Sequence, residues 1–261
     1  MTTAMAQLGT SVERQRVWAD GVFPALPAAT LYAAGGAVVY ALKAFYSGAN
    51  ADQLRWVLGP TCWLAGRLGG ITFFDEAGAG FISHSQHLVV GPACSGLNFL
   101  IAAFATVFFS FVHRLGSGRT RAAWLPASLV IAWLATVATN ALRVMLAGPL
   151  YQADIYGDLL TPGRMHRLLG TVLYCGALIV LHDAVARRFA RRVAALWSLR
   201  APLACYLGIA IVVPLLRRGS GAVDARLLEH MAMVGGTALV LAGLWAIANR
   251  LVDRLQSKAQ E

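Results

Sequence analysis

Six apolar runs, five of 20–22 residues and one of 16, occupy nearly half of this 261-residue chain. They lie at residues 26–46, 93–112, 124–145, 165–185, 201–216 and 228–249. A helix needs about 20 mostly apolar residues to cross a bilayer, so each run predicts a spanning helix. Only 13% of the residues are charged, against about 25% in a typical soluble domain. The sequence therefore predicts an all-α integral membrane protein with no second large soluble domain.

The basic residues follow a pattern that sets the orientation of these runs. The net charge is +10, and Lys and Arg cluster in short segments between the apolar runs. These segments are the N-terminus, residues 113–121, residues 187–200 and the C-terminus. Because such clusters mark cytoplasmic loops, we expect both termini in the cytoplasm; the pair at 217–218 is the one exception. The clusters lack the interleaved aromatic residues typical of a nucleic-acid surface, so we expect no nucleic-acid partner.

Residues 53–71 are apolar but contain two arginines, a proline and several glycines. If this segment crossed the membrane alone, the two strongest arginine loops would fall outside. We therefore expect six spans, with 53–71 lying in or re-entering the outer interface. Residues 72–91 follow, and their β-prone pieces at 72–74 and 87–90 predict a small hairpin outside the membrane.

With this topology, three chemically suitable side chains reach the same depth. Cys94, Arg143 and His166 each fall at the outer end of a successive span. Pro92 favours a helix start and places Cys94 in the first turn, where the helix dipole favours a thiolate. Arg143 is expected near a helix C-terminus, and Asn140 on the same helical face. Residues 161–163 predict a cap, which puts His166 in a first helical turn.

These residues suggest nucleophilic catalysis. Cys94 would attack a carbonyl, His166 would move protons, and Arg143 would stabilise the oxyanion or orient the substrate. Two alternatives remain open. The three residues would only anchor helices in a non-enzymatic scaffold or transporter, or His84, His87 and His166 would serve a metal-dependent hydrolase. The four cysteines show no metal-ligand spacing, and we expect no cofactor.

The chain resembles the exosortase/archaeosortase family of membrane cysteine transpeptidases. The resemblance rests on Ala93-Cys94-Ser95-Gly96-Leu97 at a helix start, Asn140-Ala141-Leu142-Arg143, and His166 followed by Gly170. It covers about residues 50–185. Residues 56–60 and 94–99 look most similar to exosortase K. The residues expected to support the catalytic three are Ser95, Gly96, Asn98, Asn140 and Gly170.

This resemblance implies an activity, a partner and a location. It implies cleavage of C-terminal sorting tails, each a short motif, a transmembrane helix and a basic cluster, on exported proteins. The implied location is the cell inner membrane, as a multi-pass protein with the active site facing the periplasm. We expect a cytoplasmic segment at 1–25, an exosortase-like core at 26–186, and an extension at 187–261 with two further spans.

Overall fold

The computed structural model describes residues 28–158, 160–189, 200–212, 215 and 225–258. The expected cytoplasmic segment at 1–25 lies outside these residues. In chain order the described elements are α1 (Ala28–Gly48), α2 (Arg55–Gly69), β1 (Phe74–Glu76), β2 (Gly80–Ser83), β3 (Leu88–Val90), α3 (Leu97–Phe111), α4 (Gly118–Gln152), α5 (Pro162–Phe189), α6 (Arg200–Leu207) and α7 (Ala225–Lys258). Turns of 3₁₀ helix, Pro92–Cys94 and Val112–Arg114, flank α3, and a π-helical turn, Gly208–Val212, follows α6.

Among the described residues, four helical stretches are long and apolar enough to cross a membrane. They are Pro92–Arg114, Gly118–Gln152, Pro162–Phe189 and Leu227–Val252, and each contains or closely matches one predicted span. The other two predicted spans are outside this set. The predicted span at 26–46 overlaps the 21-residue helix α1, and the run after 200 gives a shorter apolar helix, Pro202–Val212. The structure supports an all-α membrane protein, and the total of six spans stays a prediction.

Helix α3 lies at the centre of the bundle because it is apolar on every face. Within its apolar stretch 83% is buried inside the protein, against 39% for α4 and 33% for α5. It packs against α1, α4, α5 and α6. The rings of Phe99, Phe104 and Phe108 are fully buried around it. This packing holds the start of α3, and the turn before it, in a defined position.

Helix α2 is too short to cross a bilayer. Its 15 residues span about 22 Å, whereas a hydrocarbon core is about 30 Å thick. Val57, Leu58 and Cys62 are buried on one face, in a cluster that includes Val137 and Ala141 of α4. The length of α2 agrees with the segment expected at the interface, while its orientation to the membrane stays a prediction.

The segment between α2 and α3 contains three strands, so the predicted two-stranded hairpin is wrong in detail. β1 pairs antiparallel with β2, and β2 pairs antiparallel with β3. The two β-prone pieces therefore do not pair with each other, because β2 lies between them. The middle strand escaped prediction because it begins at Gly80 and ends at Ser83, which are poor strand formers. The edge strand β3 runs into the Pro92 turn and so positions the residues that follow.

Candidate active site

Cys94 lies in the 3₁₀ turn that leads into α3. Pro92 occupies the start of this turn, as predicted, and the Cys94 N–H donates to the Gly91 carbonyl at 2.9 Å. The expectation that Cys94 sits inside the first α-helical turn is wrong, because α3 begins three residues later at Leu97. Cys94 is half-buried and carries a free thiol. The thiol is therefore partly accessible while its backbone is held in a turn.

The turn continues through a glycine that no other residue type could easily replace. Gly96 has φ of 72°, a left-handed conformation that costs other residues about 1–2 kcal/mol. A Cβ there would lie 3.2 Å from Thr136 Cγ2 and 3.3 Å from Asn140 Cγ. Asn140 Nδ2 donates to the Cys94 carbonyl at 2.6 Å. The backbone before α3 is thus fastened to the face of α4 that carries Asn140.

Arg143 lies in the interior of α4, and the expectation of a helix C-terminus is wrong. The helix continues for nine residues past Arg143 to Gln152, with Pro149 inside it. The side chain is only 7% exposed. Its NH1 donates to Tyr174 Oη at 3.1 Å, and its NH2 contacts His166 Nε2. Hydrogen bonds, and not the helix dipole, therefore hold this buried cation.

His166 projects from α5 toward Arg143. The predicted cap is present, since Arg164 N donates to Thr161 Oγ1 at 3.3 Å and α5 begins at Pro162. His166 is the fifth residue of the helix, one position beyond the first turn that was expected. Its Nδ1 lies 2.5 Å from Tyr151 Oη. Because a guanidinium only donates, Nε2 must accept, so the neutral ring carries its proton on Nδ1 and donates it to Tyr151.

The structure brings Cys94, Arg143 and His166 together in one small pocket. The pocket has a volume of about 20 Å³, and all three side chains line it. Its other walls are apolar and come from β3 and from α4, at Leu88, Val89, Val90, Val144 and Ala147. A thiol, a guanidinium and an imidazole thus share a site with little room for water, where charge–dipole interactions are stronger than in solvent.

The remaining residues that were expected to support the site do not all lie beside it. Ser95 is buried, and its Oγ accepts from Leu97 N at 3.4 Å, so it stabilises the turn. Gly170 faces the guanidinium, because a Cβ there would lie 3.2 Å from Arg143 Nε. Asn98 is exposed, accepts a bond from Lys43 Nζ at 2.7 Å, and lines a different cavity. The pocket therefore does not include Asn98.

The structure places the other two histidines of the proposed metal site away from this pocket. His84 and His87 belong to the turn between β2 and β3, and the ring of His84 packs on Phe74 at 5.5 Å. Neither lines the pocket that holds His166. Within the described ranges, no group of three His, Cys, Asp or Glu side chains is placed to hold a metal. The metal-dependent alternative therefore has no ligand set among these residues.

Two tyrosines in the site escaped the sequence analysis. Tyr174 donates to Asn140 Oδ1 at 2.9 Å and accepts from Arg143, and so connects two of the expected residues. Its sequence signal was a polar group within an apolar helix, eight residues after His166 and about 80° around the helix from it. Tyr151 gave no signal, because it falls in a segment that was expected to be a loop.

Comparison with known proteins identifies the part of the chain that contains this site. The family model described as transmembrane exosortase matches residues 70–182. No curated protein and no solved structure matches the chain. The match spans β1 to α5 and includes Cys94, Arg143 and His166, while the resemblance to exosortase K stays a prediction. Residues 70–182 of this chain are therefore similar to the transmembrane exosortase family.

Proposed function

We propose that this protein is a membrane cysteine transpeptidase, with protease activity, that cleaves C-terminal sorting tails of exported proteins. The observation that carries the proposal is the single pocket lined by Cys94, Arg143 and His166. The exosortase match supports a transpeptidase or protease role for the chain. The pocket adds a specific set of residues to that general role.

The first chemical step is attack by the Cys94 thiol on a backbone carbonyl of the tail. Sγ bonds to the carbonyl carbon, the carbonyl oxygen becomes an oxyanion, and the thiol proton moves to His166 Nε2. Arg143 supplies N–H donors to the oxyanion. A preorganised donor of this kind is commonly worth about 10²–10³ in rate.

The contact between Arg143 and His166 has a role in this step. In the resting site the guanidinium occupies Nε2, the nitrogen that must accept the thiol proton. When a substrate carbonyl takes the NH2 donor, Nε2 loses its partner and becomes available as a base. Substrate binding thereby creates the proton acceptor, and an empty site leaves Cys94 without one.

The acyl-enzyme then passes its acyl group to an acceptor. Collapse of the tetrahedral species breaks the peptide C–N bond, and His166 returns its proton to the leaving amine of the tail. The product is a thioester on Cys94. An acceptor nucleophile attacks this thioester, Cys94 leaves as a thiolate, and the proton lost by the acceptor restores the thiol through His166. With water as acceptor, the same sequence is hydrolysis.

The peptide has a natural binding surface beside the thiol. β3 is an edge strand of the sheet, and its residues Leu88, Val89 and Val90 form one wall of the pocket. Extended peptides commonly add to such edges through main-chain hydrogen bonds. We place the cleavage motif along β3, with its transmembrane helix in the bilayer alongside the bundle.

The orientation proposed from the loop charges places this pocket at the outer face of the inner membrane, with both termini in the cytoplasm. A membrane-impermeant maleimide added to intact spheroplasts is then expected to label Cys94. Labelling only after the membrane is opened would reverse the topology. A Cys94→Ala variant identifies the labelled site.

A tail-release assay tests the activity. A reporter carrying an exported domain, a motif-bearing sorting tail from the same genome and a C-terminal tag is co-expressed with the chain, and loss of the tag is followed by immunoblot. We expect Cys94→Ala, Arg143→Ala and His166→Ala each to abolish release while the variant protein still inserts. Cys175→Ala, which removes a buried thiol elsewhere in the bundle, is the matched control and retains release.

The same assay separates the alternatives. Full release by Cys94→Ala would contradict the thiol mechanism, and release by all three variants would favour the non-enzymatic scaffold or transporter. Loss of release on chelation, without sensitivity to thiol reagents, would favour the metal-dependent hydrolase. Hydroxylamine added during the reaction provides a positive test, because a thioester acyl-enzyme converts it to a hydroxamate on the new C-terminus.

A further inference from the structure

Arg143 also lines a second cavity, which is larger and contains neither Cys94 nor His166. The cavity has a volume of about 240 Å³. Its walls come from α1, α3, α4, α5, α7 and the segment after 200, and include Lys43 on α1, Arg167 on α5 and His230 on α7. The activity proposed above uses none of these three residues.

The charged side chains that line this cavity are all basic. Three basic side chains, Lys43, Arg143 and Arg167, line it, and no carboxylate is among the described residues that do so. Glu229 lies nearby and binds Arg167 at 3.2 Å, but it also binds Arg164 at 2.8 Å and does not line the cavity. One carboxylate shared by two arginines leaves the cavity positive. A partly apolar cavity with this charge attracts an anion.

A second observation points to a missing ligand. Arg143 is 93% buried, and its Nε is without a hydrogen-bond partner in the described part of the chain. Gly170, which lines the same cavity, has no side chain to cover this N–H. A buried N–H of a charged group that lacks a partner costs more than about 1–3 kcal/mol. An acceptor oxygen within the cavity would recover this cost.

The position of the cavity indicates which anion is available. Asn98 lies at the start of α3, and Arg167 and His230 lie near the starts of α5 and α7. Lys43 lies near the end of α1. The cavity therefore sits at one end of the bundle. In the span arrangement expected from the sequence, that end lies at the membrane interface, where Lys and Arg meet lipid phosphates.

We propose that this cavity is a binding site for a phosphate group, held by Lys43, Arg143 and Arg167. Phosphate oxygens match both the fork of donors on a guanidinium and the point charge of a lysine. Lys43 and His230 lie outside residues 70–182, so helices outside the matched exosortase region complete the site. An occupant would touch the same guanidinium that faces Cys94, which connects the two cavities through one side chain.

Binding measurements on the full-length protein in a nonionic detergent test this proposal. The probes are dihexanoyl phosphatidylglycerol, inorganic phosphate, and dihexanoylglycerol, which lacks the phosphate. We expect the phospholipid to bind and raise the Tm, and dihexanoylglycerol to do neither. Binding of inorganic phosphate with equal affinity would support the site and assign its occupant to solution rather than lipid. Binding of dihexanoylglycerol as tightly as the phospholipid, or no binding of either phosphate probe, would overturn the proposal.

Charge variants locate the site. Replacing Lys43 and Arg167 together by Gln is expected to weaken phosphate binding about thirtyfold, from about a fivefold effect for each cation. Arg187→Gln removes a cation from the opposite end of α5 and is expected to retain wild-type affinity. Equal weakening by Arg187→Gln would mean that net charge, and not the cavity, binds the probe.

A further variant separates charge from packing. Arg167 also holds Glu229 on α7, so its loss could disturb the helix contact. Glu229→Gln breaks that ion pair and keeps every cavity cation, so affinity is expected to stay the same or to increase. If Glu229→Gln weakens binding as much as the double variant, the effect comes from helix packing and the proposal fails. None of these measurements needs Cys94 chemistry, so the tail-release assay and the binding assay can fail independently.

Discussion

Removing the hydroxyl of Tyr174 is the most specific test of the hydrogen bonds in the site. It donates to Asn140 Oδ1 at 2.9 Å and accepts from Arg143 NH1 at 3.1 Å. Tyr174→Phe removes this one oxygen and leaves the ring in place, stacked on Phe99 at 5.0 Å. The variant therefore tests the hydrogen bonds and not the packing.

The magnitude follows from the two bonds that are lost. Asn140 is fully buried and Arg143 nearly so, so water cannot easily replace the hydroxyl. A bond to a neutral amide contributes about 0.5–1.5 kcal/mol and a bond to a charged group about 1.5–3 kcal/mol. The sum is about 2–4 kcal/mol, or roughly 30-fold to 1000-fold if the whole loss falls on the transition state.

The assay is the initial rate of tail release in proteoliposomes, with the Tm of the same sample. Because Tyr174 positions Arg143 and does not touch the peptide, we expect kcat to fall at least 30-fold with little change in KM. Tyr40→Phe, on an exposed tyrosine of α1, is the matched control and keeps the wild-type rate. Release by Tyr174→Phe within threefold of wild type, at unchanged Tm, would refute the argument that this hydroxyl positions the guanidinium.

Three further predictions concern the site and its surroundings. Gly170→Ala places a methyl group 3.2 Å from Arg143 Nε and is expected to lower the tail-release rate about tenfold, whereas Gly176→Ala on the same helix meets nothing within 4 Å and leaves the rate unchanged. Gly96→Ala is expected to destabilise the protein by about 1–3 kcal/mol, from the left-handed backbone and the crowding around it, measured as a fall in Tm. Burial raises the pKa of the Cys62 thiol to about 12, so maleimide at pH 8 is expected to spare Cys62 until the protein unfolds. The same shift means that the contribution of Cys62 to stability is intact below pH 9 and is lost as the pH rises from 9 toward 12, and Cys62→Ala is expected to lessen this alkaline loss.

The grouping of three site residues in one pocket was predictable from the sequence because it depends on simple periodic features. The apolar runs set where each helix lies, and the basic loops set which ends share a side. Those two patterns alone are enough to group Cys94, Arg143 and His166. The Pro92 turn and the Thr161 cap were also readable, since each depends on local backbone chemistry.

The predictions that proved wrong concern details that depend on contacts between distant segments. The third predicted span ends at residue 145, yet α4 continues to Gln152 with Pro149 inside it. Proline removes only one backbone donor, and a turn near the helix end tolerates that loss. The bond between Tyr151 and His166 could not be foreseen, because it needs this extra length of helix. Sequence patterns place residues on elements, but they do not show which polar groups will satisfy one another.

The hydrogen bonds around Tyr174 join residues that are synthesised at different times, and this matters for biogenesis. Cys94 leaves the ribosome 49 residues before Arg143 and 72 residues before His166. The turn that carries the thiol is fastened by Asn140 of α4, which is in turn bonded to Tyr174 of α5. A nascent chain that has inserted only α3 therefore exposes a thiol without its base or its cation. In the proposed mechanism, the protein becomes active only when α5 has entered the bilayer. A partly inserted chain is therefore inactive.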